Sequence, residues 1–486
     1  MKYIIAHDYG TSALKSVLFT TEGDFVRQCN ISYPTYRDYP SWAEQDPEDW
    51  WNAFCQANKT LLDGMENIDI ACVSFCGTYP NLICVDKNGK SIGRAMIWQD
   101  SRAGEEAMEI SKKMSPEYAG QYRNNLMTTD RTLPKLMWLR KNEPERYARI
   151  DKIMPCVSQF VIFKLTGNAV ADFRTGFSTG FTNIERNAWS DYMIGLTDIP
   201  KSILPQLHNR TEIVGAVPAS KADECGLKSG TKIVVGTGDG DSADVGMGML
   251  KDGDAYLNGS TSASFLVVNK KVKGSWPYPT SCSGASITWM KNVLCTEERL
   301  IAEQTGRDVY DVINERIASA PVGSHGVTFL PYLSGERGVR YNDKAKGSFT
   351  GISLNTTHED MLRAVYEGIG MNLSCVLQVA RDAGYTFDRM PMVGGMAKSA
   401  VMRQIFSDIF GIELYTVNHA DAAGAVGAAV LGGIAVGIYQ DERAQKLFMR
   451  PIDTTKPNMD HHRKYQSMLA MFEKQYQAQC PLYEEM

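Results

Sequence analysis

The strongest constraint on the fold is a pattern that occurs twice, far apart in the chain. Residues 3–6 form an apolar run, residues 8–12 (Asp-Tyr-Gly-Thr-Ser) interrupt it, and alternation resumes over 14–20. Residues 254–257, 258–262 (Asn-Gly-Ser-Thr-Ser) and 263–268 repeat this order. Alternating strands joined by a Gly and hydroxyl tip predict a β-hairpin in each place. Two hairpins of one design indicate two related halves.

The stretch between the hairpins indicates where one half ends. Residues 236–254 are rich in Gly and Asp, which predicts a hinge or crossover near residue 250. We therefore predict an N-terminal domain over 1–247 and a C-terminal domain over 248–486.

Helix signals separate the predicted strands. Asp46 precedes Pro47 and an acidic first turn, the pattern of a helix start, and an apolar stripe runs through 358–383. Strands that alternate with helices predict the α/β class. Residues 422–439 carry no charge but hold five glycines and only six strongly apolar residues. A spanning helix needs about 20 predominantly apolar residues, so we predict a buried Ala/Gly-rich helix here.

Composition excludes several classes of function. There are 51 Lys+Arg against 56 Asp+Glu, with a pI of about 5.9, which argues against a nucleic-acid partner. Seven histidines form no H-E-x-x-H, which argues against a zinc enzyme. Eleven cysteines are scattered without C-x-x-C, and the start of the chain has no apolar signal region. We expect a cytoplasmic protein with reduced thiols and no membrane partner.

One motif favours a different enzyme. Gly176-x-Ser178-x-Gly180 matches the nucleophile elbow of α/β-hydrolases. That elbow needs a buried strand before the serine and a helix after it. Residues 181–186 show no helical period, so a Ser178 hydrolase is kept only as a minor alternative.

A better constellation is spread over four segments. Both hairpin tips can offer backbone N–H groups and hydroxyls to phosphate oxygens. Asp8 beside the first tip suits Mg²⁺, which prefers oxygen ligands. Gly394-Gly395 follows a strand and precedes a helix over 399–410, where a nucleotide could lie on the backbone. Asp239 follows a Val-rich strand among glycines, which leaves its carboxylate accessible.

Longer motifs then make the chain recognisable. It resembles the FGGY family of carbohydrate kinases, which have the fold of the actin and hexokinase-like ATPases. The resemblance runs nearly the full length. It rests on residues 8–12, 42–47, 98–102, 134–139, 238–239, 259–262 and 329–337, and on the second family signature over 347–367. The first signature departs from the family at its opening position, where Asp130 stands. The resemblance implies two actin-like ATPase (ribonuclease H-like) domains with a cleft between them. It also implies that the domain over 1–247 carries the sugar-binding side and the catalytic base, and that the domain over 248–486 carries the nucleotide-binding side.

The resemblance also implies roles. Asp239 would be the general base, Asp8 would organise Mg²⁺, and ATP would be the phosphoryl donor. The implied nucleotide-binding residues are Gly10, Thr11, Ser12, Gly259, Ser260, Thr261, Gly394, Gly395, Met396 and Lys398. The implied substrate-binding residues are Thr78, Tyr79, Asn81, Asp100, Arg102 and Asp239.

The acceptor is less well defined. Family xylulose kinases usually carry Gln-Met-His-Gly where residues 77–81 here are Gly-Thr-Tyr-Pro-Asn. We therefore expect a small sugar, either a pentulose or other ketose such as xylulose, or a polyol. A homodimer is one assembly that the sequence leaves open. The alternative from another class is a non-catalytic nucleotide-binding scaffold of the same fold.

Overall fold

The computed structural model describes residues 1–65, 67–122, 125–269, 274–336 and 338–485. Arg337, the last residue of one family motif, lies outside the described residues. The chain divides into two compact units. The first unit is Met1–Gly248 with Ala422–Phe448, and the second is Met249–Asp421 with Met449–Met486. They differ from the predicted domains mainly by the segment 422–448.

The described strands and helices are numbered here in chain order. The strands are β1 Lys2–Tyr9, β2 Ala13–Thr20, β3 Phe25–Ser32, β4 Glu44–Gln45, β5 Asp69–Gly77, β6 Ile83–Val85, β7 Ala95–Met96, β8 Lys152–Met154, β9 Val170–Asp172, β10 Gln206–His208, β11 Ile213–Ala216, β12 Lys232–Val234, β13 Thr237–Gly238, β14 Ala255–Asn258, β15 Ser264–Asn269, β16 Gly274–Pro279, β17 Thr328–Leu330, β18 Ser348–Thr350, β19 Arg389–Val393, β20 Glu413–Val417 and β21 Pro451–Thr455. The helices are α1 Pro47–Leu62, α2 Gly104–Lys113, α3 Pro116–Ala119, α4 Thr132–Asn142, α5 Pro144–Tyr147, α6 Val157–Thr166, α7 Phe173–Ser178, α8 Asp191–Thr197, α9 Ala219–Cys225, α10 Asp239–Gly246, α11 Gly284–Val293, α12 Thr296–Thr305, α13 Val309–Ser319, α14 His358–Asp382, α15 Ala400–Phe410, α16 Ala423–Ala435, α17 Gln445–Phe448 and α18 Met459–Glu485.

Both predicted hairpins form, and each lies in the main sheet of its unit. The first unit has the strand order β11-β12-β5-β1-β2-β3, with β13 beside β5, and the second has β16-β15-β14-β19-β20-β21. In each sheet the first hairpin strand pairs antiparallel with the second and parallel with a later strand. The α/β prediction is therefore confirmed, and both units share one plan.

The parallel strands of the first unit bring three loops to one sheet edge. Asp8 of β1 pairs in register with Cys76 of β5, and Gly238 of β13 pairs with Gly77. Because these strands run in the same direction, the residues that follow them leave the sheet at the same edge. Ligands of open α/β sheets commonly bind at such an edge. The second unit does the same with β14 and β19, where Asn258 pairs with Val393.

Most predicted helices are confirmed. Helix α1 begins after Asp46, whose carboxylate accepts the Glu48 N–H at 2.9 Å. Helix α14 begins after Thr357, which forms a reciprocal capping box with Asp360. The apolar faces of these helices line the clusters of buried side chains, two of which lie in the first unit and one in the second.

Two expectations for the glycine-rich segments had different outcomes. The buried Ala/Gly-rich helix is confirmed as α16, which packs on α10, β1 and β5 of the first unit. The stretch 236–254 was predicted to hold a hinge or crossover near residue 250; the passage between the units lies at 248–249, as predicted, but residues 239–246 of this stretch form α10. The glycines there allow close helix packing: a Cβ at Gly427 would overlap the Ser242 carbonyl, and one at Gly246 the Ala423 carbonyl. The chain passes to the second unit just after α10.

Candidate active site

The first hairpin tip is held in place from several directions. The Gly10 N–H donates to the Ala13 carbonyl at 3.0 Å, which closes the turn. The Tyr33 hydroxyl donates to the Gly10 carbonyl, and the Trp98 indole donates to Thr11 Oγ1 at 3.2 Å. Ser12 is exposed at the tip. The tip is therefore a fixed turn with hydroxyl groups at its surface.

Asp8 lies at the end of β1 in tightly packed surroundings. The Cys76 thiol donates to Asp8 Oδ1 at 3.2 Å. A Cβ at Gly424 of α16 would overlap the Asp8 carboxylate, so the glycine allows the helix to approach. Burial raises the pKa of Asp8, although the Cys76 hydrogen bond and Lys15 act in the opposite direction. A cation bound here would relieve the cost of this buried charge.

Asp239 is the first residue of α10, directly after β13. The Gly240 N–H donates to Asp239 Oδ1 at 2.8 Å. Burial, together with the nearby charges of Asp8 and Asp241, raises the pKa of Asp239 to about 6. A carboxylate with a pKa near neutrality can accept a proton during a reaction far better than an ordinary one.

Tyr79 and Arg174 surround the first turn of α10. The Tyr79 hydroxyl donates to Asp241 Oδ2 at 2.5 Å, and Arg174 Nε lies 2.9 Å from Asp241 Oδ1. Gly238 makes this packing possible, because a Cβ there would overlap the Tyr79 ring. Of the predicted substrate residues, the structure thus brings Tyr79 to the same turn as Asp239. Asp241 and Arg174 were missed, since only tertiary contacts reveal them.

The other predicted substrate-binding residues form hydrogen bonds within the protein. Asn81 is fully buried, and its amide donates to the Thr78 carbonyl and accepts the Trp98 N–H. Asp100 is also fully buried and accepts the Ala43 N–H at 2.8 Å. These contacts show that Asn81 and Asp100 position the surrounding loops. Direct contact of either with a substrate stays a prediction, as it does for the buried Thr78.

Arg102 belongs to the same scaffold. Its guanidinium bonds to Asp100 at 2.6 Å and to Glu44 at 2.7 Å. The guanidinium carbon also lies 3.5 Å from the centre of the Trp42 ring. The side chain is almost completely buried, so its visible role is to fix the loops that carry Asp100 and Glu44.

Lys135 joins three segments around this region and was not predicted as a site residue. Its buried ammonium donates to the carbonyls of Ile97 and Asp130, both at 2.7 Å, and to that of Pro80 at 3.4 Å. Burial lowers the pKa of Lys135 to about 7. The family motif over 134–139 contained this lysine, which is the signal that could have indicated its importance.

In the second unit, the second hairpin tip packs on the predicted nucleotide segment. The Gly259 N–H donates to the Val393 carbonyl at 2.7 Å, and the Met396 N–H donates to the Gly259 carbonyl at 3.1 Å. Gly394 has φ +86°, and a Cβ there would lie 2.6 Å from the Gly259 oxygen. The two glycine segments are therefore in backbone contact, as close approach requires.

These segments line a cavity of about 620 Å³ in the second unit. Its lining includes seven residues beyond the tip and the 395–399 turn: Gly284, Ile287, Asp308, Tyr310, Asp311, Tyr366 and Met402. Asn314 also lines it, and its Oδ1 accepts the hydroxyls of Ser399 at 2.8 Å and Tyr366 at 3.2 Å. The amide NH₂ is thereby left to donate. A larger cavity, about 1020 Å³, lies in the first unit beside Trp189 and His208 and contains none of the predicted site residues.

Two comparisons with family models cover most of the chain. The N-terminal domain of the FGGY family of carbohydrate kinases matches residues 3–246, and the C-terminal domain matches residues 232–436. The chain belongs to the FGGY family of carbohydrate kinases. It is thus an ATP-dependent carbohydrate kinase, as the sequence predicted.

Known FGGY kinases match along their whole length. A xylulose kinase from Staphylococcus epidermidis is 28% identical over 97% of this chain and 96% of its own. A gluconokinase from Bacillus subtilis is 27% identical over 97% of this chain and 94% of its own. The crystal structure of a xylulose kinase from Rhodospirillum rubrum covers 99% of this chain and 100% of its own, with a TM-score of 0.83 and 22% identity. This likeness confirms the predicted actin-like ATPase fold.

The hydrolase alternative has no support in this FGGY kinase. Ser178 is the last residue of α7, so the helix precedes the serine instead of following it. The Ser178 hydroxyl donates to the Thr175 carbonyl at 2.7 Å. A nucleophile elbow would place the serine between a strand and the next helix.

Two general features complete the description of this kinase. Within the described ranges, no helix is both long and apolar enough to cross a bilayer. In the same part of the chain, no group of three or more His, Cys, Asp or Glu side chains is arranged to hold a metal. A magnesium ion at Asp8 would therefore need further oxygen ligands from the nucleotide or water.

Proposed function

We propose that this FGGY kinase transfers the γ-phosphoryl group of Mg-ATP to a hydroxyl group of a small sugar or polyol, with Asp239 as general base. The observation that carries the proposal is the position of Asp239 at the sheet edge, with a pKa raised to about 6 by burial, Asp8 and Asp241. A carboxylate of this kind is deprotonated at neutral pH and still basic enough to take a hydroxyl proton.

The proposed step exchanges one phosphorus–oxygen bond for another. The acceptor hydroxyl oxygen bonds to the γ-phosphorus as the bond from that phosphorus to the bridging oxygen breaks, and ADP leaves. The hydroxyl proton passes to Asp239. The Gly240 N–H, 2.8 Å from Oδ1, holds the carboxylate in one orientation, which leaves Oδ2 for the acceptor. Alignment of this type supplies a large part of the rate in phosphoryl transfer.

Asp8 is the proposed partner of Mg²⁺. The residues present fit such an ion, because the Asp8 carboxylate supplies oxygen ligands and its charge helps to raise the pKa of Asp239, so a bound cation would relieve the repulsion between the two carboxylates. When bound with ATP, Mg²⁺ would neutralise charge on the phosphate oxygens. The Cys76 thiol would keep the Asp8 carboxylate oriented.

The nucleotide is proposed to bind through the two tips and the cavity of the second unit. Gly10, Thr11 and Ser12 on the first unit, and Gly259, Ser260 and Thr261 on the second, would donate to phosphate oxygens. Adenosine would occupy the cavity lined by Gly395, Met396 and Lys398, beside Gly394. Asn314 would donate its free NH₂ to a ring nitrogen of adenine.

The acceptor is proposed to bind on the first unit, next to Asp239. Tyr79 lies on the same turn, and Thr78, Asn81, Asp100 and Arg102 would shape or line the site. The 28% identical relative is a xylulose kinase and the 27% identical relative is a gluconokinase, so the names of the relatives span more than one kind of acceptor.

Coupled measurement of ADP release tests this proposal. With Mg-ATP, at least one pentulose, hexulose, polyol or sugar acid should raise ADP release well above the rate without acceptor. Asp239→Asn should lower that rate by about 10²-fold or more while ADP still binds. Ser178→Ala should retain the rate. If Asp239→Asn keeps nearly full turnover, the assignment of the base is wrong.

A further inference from the structure

Three arginines lie near one another beside the first turn of α10, and two of them stack on one aromatic ring. Arg186 lies 3.8 Å and Arg131 5.4 Å from the centre of the Phe177 ring, measured from the guanidinium carbons. Arg174 is one helical turn before Phe177 on α7, so it lies on the same face of that helix. Arg131, Arg174 and Arg186 are called the arginine cluster below.

The arginine cluster is adjacent to the proposed base. Arg174 Nε lies 2.9 Å from Asp241 Oδ1, and Asp241 is two residues after Asp239 in the same helix. The Tyr79 hydroxyl binds the other oxygen of Asp241 at 2.5 Å. Both the ring of Tyr79 and the guanidinium of Arg174 therefore lie on the acceptor side of α10.

The positive charge of the arginine cluster is only partly balanced. Among the described residues, Arg186 forms a ring contact but no ion pair, and Arg131 donates only to the carbonyls of Phe177 and Ser178. The Arg131 Nε is buried and reaches no acceptor in that part of the chain. Arg174 and Arg131 also lower the pKa of Arg186, after burial, which shows that the like charges oppose one another.

Counting the charges indicates what could balance the cluster. Its three guanidinium groups are accompanied by the carboxylates of Asp241, paired with Arg174, and Asp130, which raises the pKa of Arg131. The neighbouring Glu185 is exposed. Arg186 therefore has no carboxylate partner among the described residues, and a carboxylate of the ligand would supply one. A phosphate dianion would bring more negative charge to a region that already holds Asp172, Asp239 and Asp241. Unpaired desolvated charge is costly, and guanidinium groups bind carboxylates through paired hydrogen bonds.

We propose that the arginine cluster binds a carboxylate group of the acceptor, so that the preferred substrate is a sugar acid of the aldonate class. This inference rests on the proposed function, because it assumes that the acceptor lies against Asp239. It refines the expected acceptor, since a neutral ketose or polyol would leave the cluster without a partner. Aldonates are ionised at neutral pH and differ from the corresponding alditols at one terminal carbon.

Acceptor kinetics of the wild-type enzyme provide the first test. With saturating Mg-ATP, kcat/KM is measured for d-gluconate and d-xylonate, for d-glucitol and d-xylitol, for d-xylulose, and for d-glucose 6-phosphate. We expect the aldonate to exceed the alditol of equal carbon number by at least about 100-fold, as is usual when a site is built to bind a group that the analogue lacks.

A matched pair of arginine variants provides the second test. Arg186→Gln removes a charge that has no ion pair among the described residues, so the fold should persist, which a thermal melt checks. We expect KM for the aldonate to rise about 10-fold or more, with kcat within about threefold, so that the preference for the aldonate over the alditol shrinks. Arg389→Gln is the control, because Arg389 also stacks on a ring, that of Tyr415, but lies at the far end of β19 from Gly394.

The outcomes separate the two proposals. Equal or better use of d-xylulose or an alditol overturns the aldonate inference and leaves the kinase proposal standing. A strong preference for the sugar phosphate overturns it in the same way. An aldonate preference that survives Arg186→Gln refutes the role of the cluster. A flat panel with every acceptor refutes the proposed function itself, and with it this inference.

Discussion

Gly238 and the ring of Tyr79 occupy adjacent space, and a Cβ at position 238 would overlap that ring. The contact sets the position of the phenol that donates to Asp241, two residues beyond the proposed base. One hydrogen atom, the side chain of the glycine, thus decides whether Tyr79 can lie against the first turn of α10.

Gly238→Ala should therefore impair the acceptor site. The added methyl group must displace the Tyr79 ring, which breaks its hydrogen bond to Asp241. We expect kcat/KM for the acceptor to fall about 10-fold or more, and stability to fall by about 1–3 kcal/mol through overpacking. Steady-state kinetics and denaturant unfolding measure the two effects. Gly240→Ala is the control, because a Cβ there meets nothing within 4 Å. In a helix it should be neutral or slightly stabilising. Equal effects of the two substitutions would contradict the packing argument.

The pH dependence of the reaction should report Asp239. Burial, Asp8 and Asp241 raise its pKa to about 6, so kcat/KM should fall as the pH drops through about 6 and the carboxylate becomes protonated. Burial also raises the pKa of Asp8, so this acidic limb belongs to the interacting pair. Asp241→Asn removes one of the neighbouring negative charges and should move the limb to lower pH. A limb that stays in place in that variant would exclude Asp241 as a cause.

The pH dependence of stability should also report Asp239, but in the opposite direction to activity: its contribution to stability should fall as the pH rises. The pKa of Asp239 is higher in the folded state than in the unfolded state, so between pH 4 and 6 the folded state binds more protons. The contribution of Asp239 to the free energy of unfolding therefore declines as the pH rises through this window. Asp239→Asn should be more stable than the wild type at pH 7, on the order of 1–3 kcal/mol. Urea unfolding at pH 5 and pH 7 tests this, and a variant that is less stable at pH 7 would refute it.

Lys135 should hold the loops around the site through its three hydrogen bonds, while the burial of its charge lowers the stability of the fold. Its pKa is lowered to about 7 by burial, so between pH 7 and about 10 the unfolded state binds more protons. The contribution of this lysine therefore makes the wild type more stable as the pH rises through that range. Lys135→Met should abolish this dependence and lower kcat/KM for the acceptor about 10-fold or more, since three carbonyls lose their donor.

Lys141→Met is the matched control for Lys135. Lys141 lies on the same helix, α4, but is 61% exposed and pairs with Glu105 at 3.0 Å. Exposed pairs contribute little, so this variant should keep both activity and the rise of stability with pH. If Lys135→Met retains the pH-dependent gain in stability, another group is responsible for it.

Asn314 should contribute to adenine binding. Two hydroxyls occupy its Oδ1, so its NH₂ is the group left to donate into the cavity. Asn314→Ala should weaken ADP binding about 10-fold, which corresponds to about 1.4 kcal/mol, by calorimetry. Asn292→Ala, an exposed residue on α11, is the control and should bind ADP normally. Unchanged ADP affinity in Asn314→Ala would place adenine elsewhere.

Much of the fold could be predicted because its signals are local. Alternation over 14–20, the tip at 10–12 and the Asp46-Pro47 helix start each depend on neighbours in the sequence, and all three are confirmed. Asp8 and Asp239 stood out for a related reason, since each lies at the end of a strand. Composition indicated the crossover between the units within 236–254, but it did not show that residues 239–246 form a helix whose Gly246 allows close packing.

Strand alternation, turn residues and helix caps were sufficient to place both hairpins and the two carboxylates, because these signals act through the backbone over a few residues. Only the tertiary structure decided that Arg131 and Arg186 meet at Phe177, that Lys135 reaches three separate carbonyls, and that 422–448 returns to the first unit. Several of these contacts join segments dozens to hundreds of positions apart, such as Lys135 with Pro80 and α16 with β1. Their formation depends on how whole faces pack, and no short stretch of sequence carries that information.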